Sequence, residues 1–129
     1  MVIKKVNVLL ILFILIFSFG KGQKSNIYIA PIDATTPYSI SCNNLLDAFQ
    51  DKLKKIELNS RQSRDFSLLT RCLKSISNEP YVNIRFKGEI YFKKEKFSFC
   101  GDQATINING QYYEMTKELF EYIKKLRRK

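Results

Sequence analysis

The chain opens with an unbroken apolar run, Val8 to Phe17, preceded by Lys4 and Lys5 and followed by Gly20, Lys21 and Gly22. A helix needs about 20 apolar residues to cross a bilayer core, and this run is shorter even when widened to Val6 and Phe19. Positive charge, then an apolar stretch, then small residues is the order of an export leader. Residues 1–22 are therefore expected to be a signal peptide, cut after Gly22 or Gly20. Residues 23–129 are then one small domain, periplasmic or secreted. The alternative is a membrane tether formed by residues 6–20.

Past the leader, "NIYIAPI" alternates and reads as a short strand stopping at Pro31, with the proline arguing for an edge or terminal position. In "SCNNLLDAFQDKLKKIEL", Cys42, Leu45, Leu46, Phe49, Leu53 and Ile56 recur at three and four. That period predicts a helix, with Ser39 or Ser41 as its cap. "RDFSLLTRCLKSIS" repeats the pattern through Phe66, Leu69, Leu73 and Ile76, with Leu68 and Cys72 at the side of the stripe. Asn59, Ser60 or Ser63 can cap it, and it should end before Pro80. The short break between the two predicts an αα-hairpin.

The period then changes to two. Val82, Ile84, Phe86, Ile90 and Phe92 share one phase, while Asn83, Arg85, Lys87, Glu89, Tyr91 and Lys93 share the other. Gly88 falls in the apolar phase, which fits one bent strand or two short ones. Lys93 to Lys96 suit a hairpin tip, Phe97 and Phe99 a return strand, and Asn109-Gly110 a tight turn, because both residues tolerate positive φ. Thr116 can cap a last helix whose apolar side is Leu119, Phe120, Ile123 and Leu126. The expected fold class is α+β: an N-terminal strand and αα-hairpin, then an antiparallel β-meander and a C-terminal helix, with the helices packed on one sheet face.

Composition narrows the chemistry. Lys and Arg number 22 against 12 acids, for a net charge of +10, and loss of Lys4, Lys5 and Lys21 with the leader lowers this to +7. The chain holds no histidine, so the usual neutral-pH base and the commonest metal ligand are missing. Its three cysteines lie too far apart for a zinc or redox motif, and its five glycines form no phosphate-cradling pattern. The carboxylates scatter over turns and solvated helix faces; Asp33 and Asp102 sit beside strands, where capping the backbone accounts for them. No catalytic residue, metal or cofactor is assigned.

The feature left is the polar side of the meander. Arg85, Lys87, Tyr91, Lys93, Lys94 and Lys96 form a candidate binding face, suited to a protein or an acidic envelope component. Basic and aromatic interleaving also suits single-stranded nucleic acid, but export carries the chain away from it. The expected function is thus a non-enzymatic exported binding module. Two alternatives stand beside it: an envelope assembly component linked through a sheet edge or Cys100, and a small carboxylate-dependent hydrolase or lyase.

Cys42, Cys72 and Cys100 allow one intrachain bridge and three pairings, or can be small core side chains. Cys42 with Cys72 is the favoured pair, because both fall on helices expected to pack together.

Overall fold

The computed structural model describes residues 24–128, so the leader expected over residues 1–22 lies outside the described residues. Strand β1, Ser25–Ile29, buries Ser25, Ile27 and Ile29 and leaves Asn26 and Tyr28 half-exposed, as its alternation requires. A short helix α1, Leu45–Phe49, continues as a 3₁₀ turn at Gln50–Lys52, and strand β2 follows at Lys54–Leu58. Helix α2 spans Ser60–Thr70, strands β3 to β6 span Phe86–Phe92, Glu95–Gly101, Thr105–Ile108 and Gln111–Glu114, and helix α3 spans Lys117–Arg128. All pairings are antiparallel, in the order β2-β1-β3-β4-β5-β6. This is the α+β class read from the sequence, with α3 on the sheet as expected.

Register sorts the side chains into two faces. Ile27 stands opposite Ile56 and Gly88, Phe86 opposite Gly101, and Gly88 opposite Phe99. With Ile90, Ile106, Phe66 of α2 and Leu119, Ile123 and Leu126 of α3 they form the main core. Phe66 anchors it, its ring centroid 4.6 Å from that of Phe99 and 6.2 Å from that of Phe97. Ser25 and Ser63, both buried, satisfy each other at 2.8 Å and tie β1 to α2. A second cluster of Ala30, Ile40, Leu45, Phe49, Ile84 and Cys100 joins α1 to the irregular segment before β3.

Local signals act where expected. Asn59 Oδ1 accepts from the Gln62 backbone at 2.8 Å while Gln62 Oε1 accepts from the Asn59 backbone at 2.9 Å, a complete capping box for α2. Thr116 Oγ1 accepts from Leu119 N–H at 3.2 Å at the start of α3. Lys93 and Lys94 turn at φ of 49° and 66°, and Asn109 and Gly110 at 51° and 92°, as hairpins of two turn residues require. Gly88 lies inside one continuous strand: a Cβ there would meet Asn26 O at 2.2 Å and the Phe99 ring at 2.9 Å, so glycine permits the close approach of β1 and β4.

Three expectations change. The first helix of the expected hairpin is short, and the segment Lys54–Leu58 that continued its pattern is strand β2. Ile56 and Leu58 alternate as well as Leu53 and Ile56 recur helically, and the ladder to β1 gives that stretch backbone partners that settle the ambiguity. β1 is not an edge strand but lies between β2 and β3. Pro31 stands past its end, after Ala30 N–H has made the last bond to Arg85 O at 2.7 Å, so the missing proline donor costs the ladder nothing.

The third change concerns sulfur. Cys42 bonds to Cys100, not to Cys72, with Cα atoms 5.9 Å apart. Cys42 precedes α1 beside the sheet, whereas Cys72 lies just beyond α2 and is a free, exposed cysteine. The helical pairing assumed for Cys42 and Cys72 does not form at those positions.

Candidate functional site

Helices α2 and α3 cover only one face of the sheet. On the other, β1 presents Asn26 and Tyr28, β3 presents Lys87, Glu89 and Tyr91, β4 presents Lys96, Ser98 and Cys100, and β5 presents Asn107, as their registers dictate. Part of this face is an open cleft of about 540 Å³ lined by Asn26, Tyr28, Lys87, Glu89, Ser98 and Asn107, with the Cys42–Cys100 pair at its wall. Lys87 Nζ donates to Cys42 O at 3.2 Å, so the disulfide segment also positions the lysine.

Polar contacts organise the rest of the face. Tyr91 donates through its hydroxyl to Glu89 Oε2 at 3.2 Å, and Lys96 Nζ lies 3.5 Å from Glu89 Oε1 and 5.6 Å from the centre of the Tyr91 ring. Polar contact with Tyr91, then the charge of Glu89, holds the Lys96 ammonium above the ordinary lysine range, so it is fully charged at neutral pH. Lys55 of β2 stands over the Tyr28 ring at 5.6 Å. Asn109 and Asn107 brace the rim: Asn109 Oδ1 accepts from Ser98 N–H at 3.0 Å and Asn107 Oδ1 from Gly110 N–H at 2.9 Å.

The six residues read from the sequence as one binding face separate into three places. Lys87, Tyr91 and Lys96 share the open face. Lys93 and Lys94 form the β3–β4 turn, with Lys93 Nζ 5.4 Å from the Phe92 ring centre. Arg85 does not belong to the surface. It is buried, donating from NH1 to Asn83 Oδ1 at 2.8 Å and Ile84 O at 3.0 Å and from NH2 to Ala34 O at 2.9 Å, with its guanidinium 5.2 Å from the Phe49 ring centre. Burial lowers its pKa, opposed by the charge of Asp102. It lies before β3 begins, where the segment from Ile84 packs against α1, so alternation alone overstated its exposure.

Asn26, Tyr28, Ser98 and Asn107 were not picked out from the sequence. Their alternation was visible strand by strand, but which strands would lie beside Lys87 was not.

The chemical candidates also resolve. Cys100 has no thiol to offer as a nucleophile or a link to another chain, because it is bonded to Cys42. Asp102 builds backbone: Oδ1 accepts from Ala104 N–H at 2.8 Å and Thr105 N–H at 2.9 Å, and Oδ2 from Asn83 N–H at 2.9 Å. Among the described residues no group of three or more Cys, Asp or Glu could hold a metal ion, and no helix is long and apolar enough to cross a membrane. No family model, curated protein or solved structure matches the chain.

Proposed function

We propose that this chain is an exported, non-enzymatic binding module whose open sheet face engages an acidic partner, either a protein or an anionic envelope component. One observation carries the reading: helices α2 and α3 cover one face of the sheet, while the other, covered by α1 at the Cys100 end, leaves beside it a cleft of about 540 Å³ with Lys87 in it and Lys96 and Tyr91 alongside. Glu89 neutralises part of that charge by pairing with Lys96. Lys87 is therefore the cation that an incoming carboxylate or phosphate would meet, with Tyr28 and the asparagine side chains supplying apolar and amide contacts beside it. Export rests on the leader pattern of residues 1–22, with the tether over residues 6–20 as its alternative.

The test is titration of the processed protein with an anionic polysaccharide and, separately, an acidic peptide, at low and at physiological salt. Lys87→Glu should weaken binding at least about tenfold, whereas Lys125→Glu, on the distant end of α3, should leave it within about twofold. Equal loss in both variants would reduce the interaction to net charge and remove the cleft from it. Absence of binding to either probe would overturn the acidic-partner reading.

A further inference from the structure

The two edges of the sheet are finished differently. Along β6, Ile76 N–H donates to Tyr112 O at 2.9 Å and Glu114 N–H to Lys74 O at 2.8 Å, and Ser75 bridges Tyr113. The segment after α2 thus closes that edge. β2 pairs with β1 on one side only, and its outer backbone groups take no backbone hydrogen bond from any described residue. Outward N–H and C=O groups of this kind are a template for another strand.

The side chains of that edge select the strand. β2 reads Lys54-Lys55-Ile56-Glu57-Leu58. In an antiparallel pairing of two copies centred on Ile56, Lys55 of each stands opposite Glu57 of the other. Both residues are exposed and point to the open side of the sheet, across from Tyr28 and Asn26. Ile56 is half-buried on the helix-covered side, so the centre adds an apolar pair. Sliding the register to its neighbours of the same phase sets Lys55 against Lys55 or Glu57 against Glu57, which opposes those alignments. Lys54, a further charge on this edge, is drawn back toward α3, its Nζ donating to Arg127 O at 2.6 Å. Glu57 already has Lys24 within 3.8 Å, but that pair is exposed and correspondingly weak.

We propose that β2 is a self-association edge: it pairs with β2 of a second copy of this chain across a two-fold axis at Ile56, making one continuous sheet. Because the register is in phase, both open faces lie on the same side, and the assembly presents two clefts to one extended partner. Five residues per strand make a small contact, so the association is concentration-dependent and weakened by salt. It stands independently of what the cleft binds.

The full chain, expressed with its leader so that the host processes it, is followed by sedimentation across a concentration series in a Cys72→Ser background, which excludes thiol cross-links. The parent should show a reversible doubling of mass. Lys55→Glu and Glu57→Lys should each weaken it about tenfold or more, because each sets like charges opposite one another at two symmetry-related places. An equimolar mixture of the two variants should regain the doubled mass, since each then supplies the charge the other lacks. Circular dichroism of each variant checks that the fold is kept. A parent that stays monomeric, a dimer indifferent to both variants, or a mixture that fails to associate would each overturn the proposal.

Discussion

Cys42 and Cys100, 58 residues apart in the chain, are joined across the open side of the sheet, so the segment ahead of α1 is pinned to the middle strands. The bond therefore serves both the fold and the cleft: it closes a long loop, and it carries the carbonyl that receives Lys87. Replacing both cysteines by serine should lower stability by about 4 kcal/mol on the chain-entropy account of a loop of this size. Denaturation of the parent and the double variant measures this. A thiol assay on the native protein should find one reactive group, Cys72, and Cys72→Ser should abolish it with little effect on stability.

Arg85 and Lys87 differ by two positions and share a phase, yet the structure gives them different work. Arg85→Ala leaves the carbonyls of Ile84 and Ala34 without the Arg85 donor and removes one of the two donors to Asn83 Oδ1, which keeps the Ile40 N–H, and should cost about 2 kcal/mol. Lys at position 85 should recover only part of this, because one ammonium cannot reproduce a planar fork. Lys87→Ala should cost under about 1 kcal/mol, its loss appearing in binding instead. Denaturant midpoints beside titrations of the anionic probe separate the two.

Gly88→Ala should destabilise by about 2 kcal/mol, because the new methyl meets the backbone of β1 and the Phe99 ring at once. Gly110→Ala has open space around it and only the positive φ of 92° against it, so its cost should be nearer 1 kcal/mol. Reversal of that order in chemical denaturation would contradict the packing described for β1 and β3.

Burial raises the pKa of the Tyr122 phenol, with Asp65 acting in the same direction, and the hydroxyl donates to Gln62 O at 3.2 Å. A pKa raised in the folded state stabilises the fold while the group is protonated. That contribution is complete below the ordinary tyrosine pKa of about 10 and is lost as pH rises through the higher folded value. Stability should thus fall on the alkaline side, and Tyr122→Phe should flatten the fall while costing about 1 kcal/mol at neutral pH. The absorbance difference between parent and variant, followed through an alkaline titration, should place the missing phenol above free tyrosine.

Asn59→Ala should cost about 1 kcal/mol by breaking the capping box, with thermal unfolding as the measure. The place of the cap was legible in advance, with Asn59 one of three candidates beside Ser60 and Ser63, as were the alternating phase from Ile84 to Phe92, the Asn109-Gly110 turn and the buried side of α3. Lys54 to Leu58 were not, because Leu53 and Ile56 fit a helix while Ile56 and Leu58 fit a strand. The candidate face was legible in part: alternation put Lys87 and Tyr91 together, but carried Arg85 and Lys93 with them, left Lys96 to the hairpin tip rather than opposite Tyr91, and said nothing of Tyr28 or Asn107.

What the sequence by itself determined is what short stretches of chain decide: turn residues with positive φ, helix caps, and the period that separates apolar from polar sides. These depend on a few neighbouring torsions and on side-chain phase, both written into consecutive residues. Tertiary structure alone decided that β1 lies inside the sheet, that Lys54–Leu58 joins it as a strand, that Cys42 finds Cys100, and that one face stays open. Each of those depends on segments distant in the chain meeting in one register, where backbone groups find partners and a bulky side chain finds a glycine, and no local pattern carries that information.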